Sequence, residues 1–407
     1  MGGSHAHRAA EDAVPVTVER RPRLVLLAAL GVFFVLTVAG VVTLWPDTSK
    51  VDELSESVSF AAPGVTFPSA DVVEVQEPCA SLSEDQGCGR ITVRVAEGES
   101  ADEEVTIGVP PDVLEAGLTA GDTVKLILVP AQDQQEPSYS YFGTVRTPPI
   151  ALLLGIFVVV VVAVARWRGV FALIGLAFAG AVFVSFMLPA LLSGENGPLV
   201  GIVGSSAIMY VVLYTTHGWS LRTSAALAGT LVGIALTAAI GYLSVGDSRL
   251  TGVTDDGDRI LSTLGGDLSF QGLLTCAIII AGLGVLNDVT ITQASAVWEI
   301  RGAAPTISRR RVFVSGMRIG RDHIASTIYT IVFAYAGTAL TVLLLLSLYD
   351  RPFLDLLATE EIGQEVVRTL ATSIGLVLAV PLTTLIAVVT LPAAIDLEPE
   401  PAKTPGM

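Results

Sequence analysis

Charge is the first thing this sequence has little of. Only 15% of its 407 residues are Asp, Glu, Lys or Arg, against roughly 25% in soluble domains. An ordinary water-covered globule is excluded. So is a disordered chain, which needs low hydrophobicity and high charge. Basic residues are scarcer still: 23 Lys and Arg stand against 39 Asp and Glu, a net −16. Nucleic-acid binding needs a basic footprint and is excluded with them. Three cysteines and four histidines leave few soft metal ligands. There is no His-Glu-x-x-His, Walker loop, Gly-x-Ser-x-Gly elbow or Cys-x-x-Cys pair. Gly282-x-Gly284-x-x-Asn287 is a broken dinucleotide fingerprint inside an apolar run. No resident metal, no cofactor and no enzymatic activity is expected.

Apolar residues are what is there, at 52%, and they are gathered into long runs. Crossing about 30 Å of hydrocarbon takes about 20 residues of helix. Eight runs qualify: Leu24–Trp45, Pro149–Ala165, Gly169–Leu192, Pro198–Thr216, Thr223–Val245, Phe270–Val297, Ile324–Leu348 and Thr369–Leu391. The fold class expected is an all-α polytopic transmembrane bundle, with the lipid bilayer as its first partner. Arg166-Trp167-Arg168 makes the turn between the second and third runs. The first run follows Arg20, Arg21 and Arg23, as a signal peptide would. Its length and the absence of a small-x-small cleavage site favour an uncleaved anchor. Fourteen Lys and Arg fall on the side of the N-terminal tail and four in short loops on the other side. That bias places both termini in the cytoplasm.

The chain thus divides into a tail (1–23), an anchor (24–45), an insert (46–147), a seven-span bundle (148–391) and a second tail (392–407). The insert carries 19 acidic and 5 basic residues. Apolar residues fall on alternate positions in Asp71–Val75, Arg90–Val95, Glu104–Val109, Asp122–Val129 and Tyr139–Val145, the period of a strand. Turn residues separate these stretches. Five short strands predict a small OB-like or SH3-like barrel on the extracytoplasmic side. A disulfide between Cys79 and Cys88 is expected in that oxidising compartment. Cys276 reads as a small buried hydrophobe.

Polar chemistry concentrates in the sixth and seventh runs. Asn287 precedes Asp288, and Gln293 follows within two turns. If the helix continues, Asp288, Thr292, Ser295 and Glu299 recur at steps of 4, 3 and 4 on one face. A carboxylate at bilayer depth costs a few kcal/mol and marks a pathway or a partner. The next loop is the most basic segment in the chain. Arg318 or Arg321 is expected to pair with Asp288 or Glu299 as a cytoplasmic gate. Asp322, Ser326 and Thr330 continue a polar face, with His323 beside it. Histidine as a class titrates near neutrality and suits a proton relay. A polar seam between these two spans is expected, and static hydrogen bonding between the helices fits the same residues. Gly229-x-x-x-Gly233 is a small-residue helix contact. Pro189 and Pro381 are candidate kinks.

Gly284–Glu299 reads Gly-Val-Leu-Asn-Asp-Val-Thr-Ile-Thr-Gln-Ala-Ser-Ala-Val-Trp-Glu. This resembles the YibE/F family of bacterial multi-pass membrane proteins, whose pattern is G-V-L-D-D-V-T-x-T-Q-A-S-x-V-x-E. Gly316–Ser326 and Arg368–Pro381 are similar to that family too, as is the layout of anchor, β-rich insert and span bundle. Asn287 departs from the pattern, standing where the family has the first of two Asp. The resemblance implies a bacterial cytoplasmic (inner) membrane location and directs attention to the central motif. It implies no substrate. Two functions follow from the residues. One is a transporter or channel component for a small solute or ion that uses the seam. The other is a non-transporting scaffold or envelope-assembly factor that docks a protein partner through the acidic insert.

Overall fold

The computed structural model describes residues 20–57, 60–76, 89–98, 100–131, 136–254, 256–264, 268–348 and 352–394. Cys79 and Cys88, and with them the expected disulfide, lie outside the described residues. The chain separates into two units, Ser55–Val164 and a second made of Met1–Leu54 with Ala165–Met407.

The elements run α1 (Arg20–Thr43), α2 (Thr48–Ser57), β1 (Ser69–Val75), β2 (Arg90–Val95), β3 (Glu104–Gly108), α3 (Pro111–Glu115), β4 (Thr123–Val129) and β5 (Ser138–Thr144). Then follow α4 (Thr147–Val182), a π-helical turn at Phe183–Met187, α5 (Leu188–Leu192), α6 (Gly197–His217), α7 (Leu221–Asp247) and α8 (Asp256–Leu264). The chain closes with α9 (Phe270–Ala303), α10 (Arg309–Thr338), α11 (Leu340–Ser347), α12 (Phe353–Leu356) and α13 (Glu360–Val389).

In the smaller unit the five expected strands form one curled antiparallel sheet, ordered β3-β2-β1-β4-β5. Alternation has done its work: Ala70, Val72, Ile91, Val93, Val95, Ile107, Val124 and Leu126 form the buried core. Their neighbours in sequence face water and pair across strands, as Arg94 does with Glu104 at 2.8 Å. Glu97 accepts hydrogen bonds from the Ser69 N–H at 2.7 Å and from Lys125 Nζ at 3.0 Å. The Ser69 bond and the lysine cation hold its carboxyl well below the usual range, at about 2. The ionised form therefore favours the folded sheet above the ordinary glutamate range, and this preference fades as pH falls toward 2. A carboxyl-carbon titration of labelled full-length protein should give Glu97 a midpoint near 2. An ordinary glutamate midpoint would mean the contacts are not held in solution.

In the larger unit, helix starts are written by single side chains. Asn196, Ser220, Ser269 and Ser308 each accept a hydrogen bond from the backbone N–H three residues on, capping α6, α7, α9 and α10. The centre is a trio of α7, α9 and α13, with α6 and α10 packed around it. Its interior is unusually rich in hydroxyls and glycine. Thr230, Thr237, Thr290, Thr372, Thr383 and Thr384 are all buried. Thr230 and Thr290 share a 2.7 Å hydrogen bond between α7 and α9. Small residues and hydroxyls suit apolar surroundings, where close backbone approach and interhelical hydrogen bonds hold helices together.

Six helices are long and apolar enough to cross a membrane, or seven if the pair α10–α11, bent by 68°, counts as one. Eight runs were expected. The difference lies at Thr147–Leu192, which forms one 46-residue helical stretch. Within it Arg166 takes φ 56° and ψ −135°, so the expected Arg-Trp-Arg turn is a single-residue break between two helical arms. Pro189 sits in the first turn of α5 directly after the π-helical turn, and Pro381 lies inside an unbroken α13.

Candidate functional site

Helix α9 has 34 residues, about 51 Å at 1.5 Å per residue. Its contacts set the level of each motif residue within the bundle. Near one end Glu299 stands 4.0 Å from Arg222 at the start of α7. Thr290 is level with Thr230, and Leu286 with Gly233. Toward the other end Ile278 is level with Gly241. Asp288 therefore lies level with residues 230–233 of α7, close to the middle of that helix. Eleven residues separate Asp288 from Glu299, an axial distance of about 16 Å.

The faces of α9 divide sharply. Leu286, Val289, Thr290, Gln293 and Val297 point into the bundle and are buried. Asp288, Thr292 and Glu299 are exposed and Ser295 is half-buried. The expected polar face exists, but it is the outward face of the bundle. The Asp288 side chain is 68% exposed. The reason is rotational: the buried positions lie roughly half a turn from Asp288, and the trio with α7 and α13 takes the apolar side.

Helix α10 crosses beside this face. Gly316 packs on Val297 and Thr384, and Gly320 on Val380 and Gln293. Gln293 is the clamp: its Nε2 donates to the Gly316 carbonyl at 2.9 Å and to Thr384 Oγ1 at 2.7 Å. Two turns beyond Gly316, His323 comes to Asp288. Its Nε2 lies 3.6 Å from Asp288 Oδ2, has no solvent exposure and makes no hydrogen bond among the described residues. That separation suits an ion pair when the ring is protonated. Asn287 Oδ1 is likewise buried without a hydrogen-bond partner. Thr327, behind His323, donates to the His323 carbonyl at 2.8 Å.

The expected gate is not assembled. Among the described residues Glu299 pairs with Arg222 and Asp288 with His323, and neither Arg318 nor Arg321 forms an ion pair with either carboxylate. Arg318, Arg321, Asp322 and Ser326 are exposed on α10. Thr330 is also exposed, with its hydroxyl on the Ser326 carbonyl. Gln293, expected on the polar seam, is buried between three helices. Two features escaped the sequence reading. Gly316-x-x-x-Gly320 repeats the small-residue spacing noticed at Gly229 and predicts the α10 contact. Arg301 is buried at the end of α9 and donates to the Pro305 and Ile307 carbonyls at 3.1 and 2.7 Å. Its proximity to that loop carries no sequence signal.

A pocket of about 520 Å³ opens at the far end of the bundle, among Glu195, Asn196, Asp247, Ser269, Gln271 and Thr275. From Thr275, α9 runs thirteen residues to Asp288, past the buried Cys276, Ile279 and Leu283. Among the described residues no group of three or more His, Cys, Asp or Glu is placed to hold a metal.

Long apolar helices around a core of glycine and threonine define an integral membrane protein. The model of the YibE/F-like protein family matches residues 153–393, more than half of the chain, and the chain belongs to that family. No curated protein and no solved structure matches it.

Proposed function

We propose that this protein is a component of a transporter or channel for a small solute or ion, working through Asp288 and His323. The observation that carries the reading is their 3.6 Å approach at the mid-level of α7. If α7 crosses the bilayer, that level is near the middle of the hydrocarbon. A charge there costs roughly 2.5–3.5 kcal/mol on insertion scales, and a pathway or a partner offsets such a cost. A carboxylate and an imidazole are groups that can each take up and release a proton, and a closer approach or one bridging water would join this pair. The 520 Å³ pocket with Glu195 and Asp247 supplies a polar mouth at the opposite end.

The reading includes eight crossings with both termini in the cytoplasm, the Arg166 break separating the second from the third. It also includes a bacterial inner-membrane location and an OB-like insert outside. The strand order β3-β2-β1-β4-β5, the short helix between β3 and β4 and the approach of the edge strands β3 and β5 support that barrel. Flux of purified protein in liposomes under a proton or sodium gradient tests the function. Asp288→Asn should lower it at least tenfold. Unchanged flux would remove Asp288 from the mechanism.

One observation favours the scaffold reading. Phe60, Phe67 and Phe142 form a cluster with ring centroids 5.1–6.0 Å apart, and Phe60 is 76% exposed. Loss of the cellular phenotype on deleting only residues 46–147, with flux intact, would favour it.

A further inference from the structure

Helix α1 does not pack flush on the bundle. Only Leu26, Leu30 and Thr37 of its 24 residues are buried. The Tyr210 hydroxyl donates to the Leu30 carbonyl at 2.7 Å and ties α1 to α6. Beside this seat, between α1, α7 and α13, lies a groove of about 630 Å³. Leu26 and Phe33 of α1, Leu231 of α7, and Ile386 and Val389 of α13 are among the residues that line it. Its lining residues with polar side chains are Arg21 and Thr390 only. The Thr390 hydroxyl is occupied, since it donates to the Ile386 carbonyl at 2.9 Å. Arg21 is exposed and stands at the end of the groove where α1 begins. Among the described residues no carboxylate lines the groove.

We infer that this groove binds an anionic phospholipid, with one acyl chain lying along α1 and the headgroup phosphate on Arg21. Three observations select this occupant. The first is length. The lining residues of α1 run from Arg21 to Phe33, twelve steps or about 18 Å of helix. One leaflet is half of about 30 Å of hydrocarbon, so the groove matches the reach of an acyl chain. The second is order. The groove is apolar along its length and cationic at one end, as a phospholipid is apolar along its chain and anionic at its head. A guanidinium engages two phosphate oxygens at once. The third is charge. Arg20, Arg21 and Arg23 stand together, and no acidic residue follows them before Asp47. Such a cluster favours a lipid of net negative charge over a zwitterionic one. The chain's own C-terminal segment is a poor fit. Asp396, Glu398 and Glu400 carry the charge, but only Leu397 among them suits an apolar slot. A bound acyl chain fills the space between α1 and α13, which makes lipid part of the seat of α1. This holds whether or not the protein carries a solute.

The test is photolabelling of the full chain in vesicles of phosphatidylglycerol or of phosphatidylcholine, each with a photoreactive group midway along one acyl chain. Phosphatidylglycerol should label Leu26, Ala29, Leu231 and Val389 well above Leu152 and Val159, which are exposed on α4. Arg21→Gln should lower the groove labelling about fivefold, the worth of one cation near an anionic lipid. Arg310→Gln makes the same charge change at an exposed position at the same end of the bundle, and should leave labelling unchanged. Ala29→Trp fills the groove and should abolish labelling of Leu231 and Val389. Ala28→Trp, outside the groove lining, should not. In detergent, added phosphatidylglycerol should raise the melting temperature of the wild type and not that of Ala29→Trp. Equal labelling of the groove and of α4 means annular lipid only and overturns the inference. So does groove labelling that phosphatidylcholine matches, or that Arg21→Gln leaves undiminished.

Discussion

A valine at Gly229 is expected to destabilise the helical unit by about 3 kcal/mol, the upper range for overpacking a closed core. A Cβ at this position would overlap Thr383 Oγ1 and stand 2.8 Å from Thr383 Cβ. Thr383 is fully buried on α13. Helix α13 cannot retreat as a whole. One turn along, a Cβ at Gly233 would lie 3.2 Å from Ala379 Cβ and 2.9 Å from Leu286 Cδ2. Two turns along, Gly375 sits directly on Thr237. The helices are pinned at three levels, so an added isopropyl group must separate them. Thermal unfolding in detergent measures the effect. Gly229→Ala should fall between wild type and valine. Gly246→Ala is the control, since a Cβ there meets nothing within 4 Å, and it should be neutral or slightly stabilising. Equal melting of Gly229→Val and Gly246→Ala would mean that α7 and α13 do not pack this way.

Replacing Gln293 by alanine should cost about 2 kcal/mol and should also lower flux about tenfold. Two effects combine in the stability figure. The amide loses its bonds to the Gly316 carbonyl and to Thr384 Oγ1, each worth about 1 kcal/mol or less among membrane helices. The deletion also leaves a cavity where α9, α10 and α13 meet. Gln293→Leu fills the volume and removes only the bonds, so it should cost about half as much. The functional effect has a separate origin. Gln293 holds Gly316, and His323 lies two turns further along the same face of α10. Without the amide, α9 and α10 lose the hydrogen bond that holds Gly316, and the 3.6 Å approach of His323 to Asp288 is left to hold itself, so His323 drifts from Asp288. Leucine should therefore restore about half of the lost stability and little of the flux. Parallel recovery of both would make Gln293 a packing residue only.

Particular residues show where reading by sequence succeeds and where it stops. The insert was legible strand by strand. Ile91, Val93 and Val95, then Val105 and Ile107, alternate with exposed neighbours because one face of a sheet is buried. Five expected strands lie within a few residues of the five observed. The longest apolar runs were legible for the same kind of reason, because length alone decides them. Counting them was harder. Arg166 breaks the helix at one residue, and composition does not separate a break from a turn. The motif was legible as a face: Asp288, Thr292, Ser295 and Glu299 do share one side of α9. Which side it is could not be read. A helix of nearly even hydrophobicity has no apolar stripe to point inward, so periodicity leaves its rotation open.

By itself the sequence determined the membrane class, the strand set of the insert and the position of the polar motif along the chain. Each depends only on local pattern, on run length or alternation, which needs no knowledge of neighbours. Tertiary structure alone decided that Asp288 faces outward, that His323 and not an arginine meets it, and that Gln293 is buried. Those outcomes depend on where Gly229, Gly316 and Gly375 let helices come close. Close approach is a property of two surfaces at once, and one strand of letters records each surface separately.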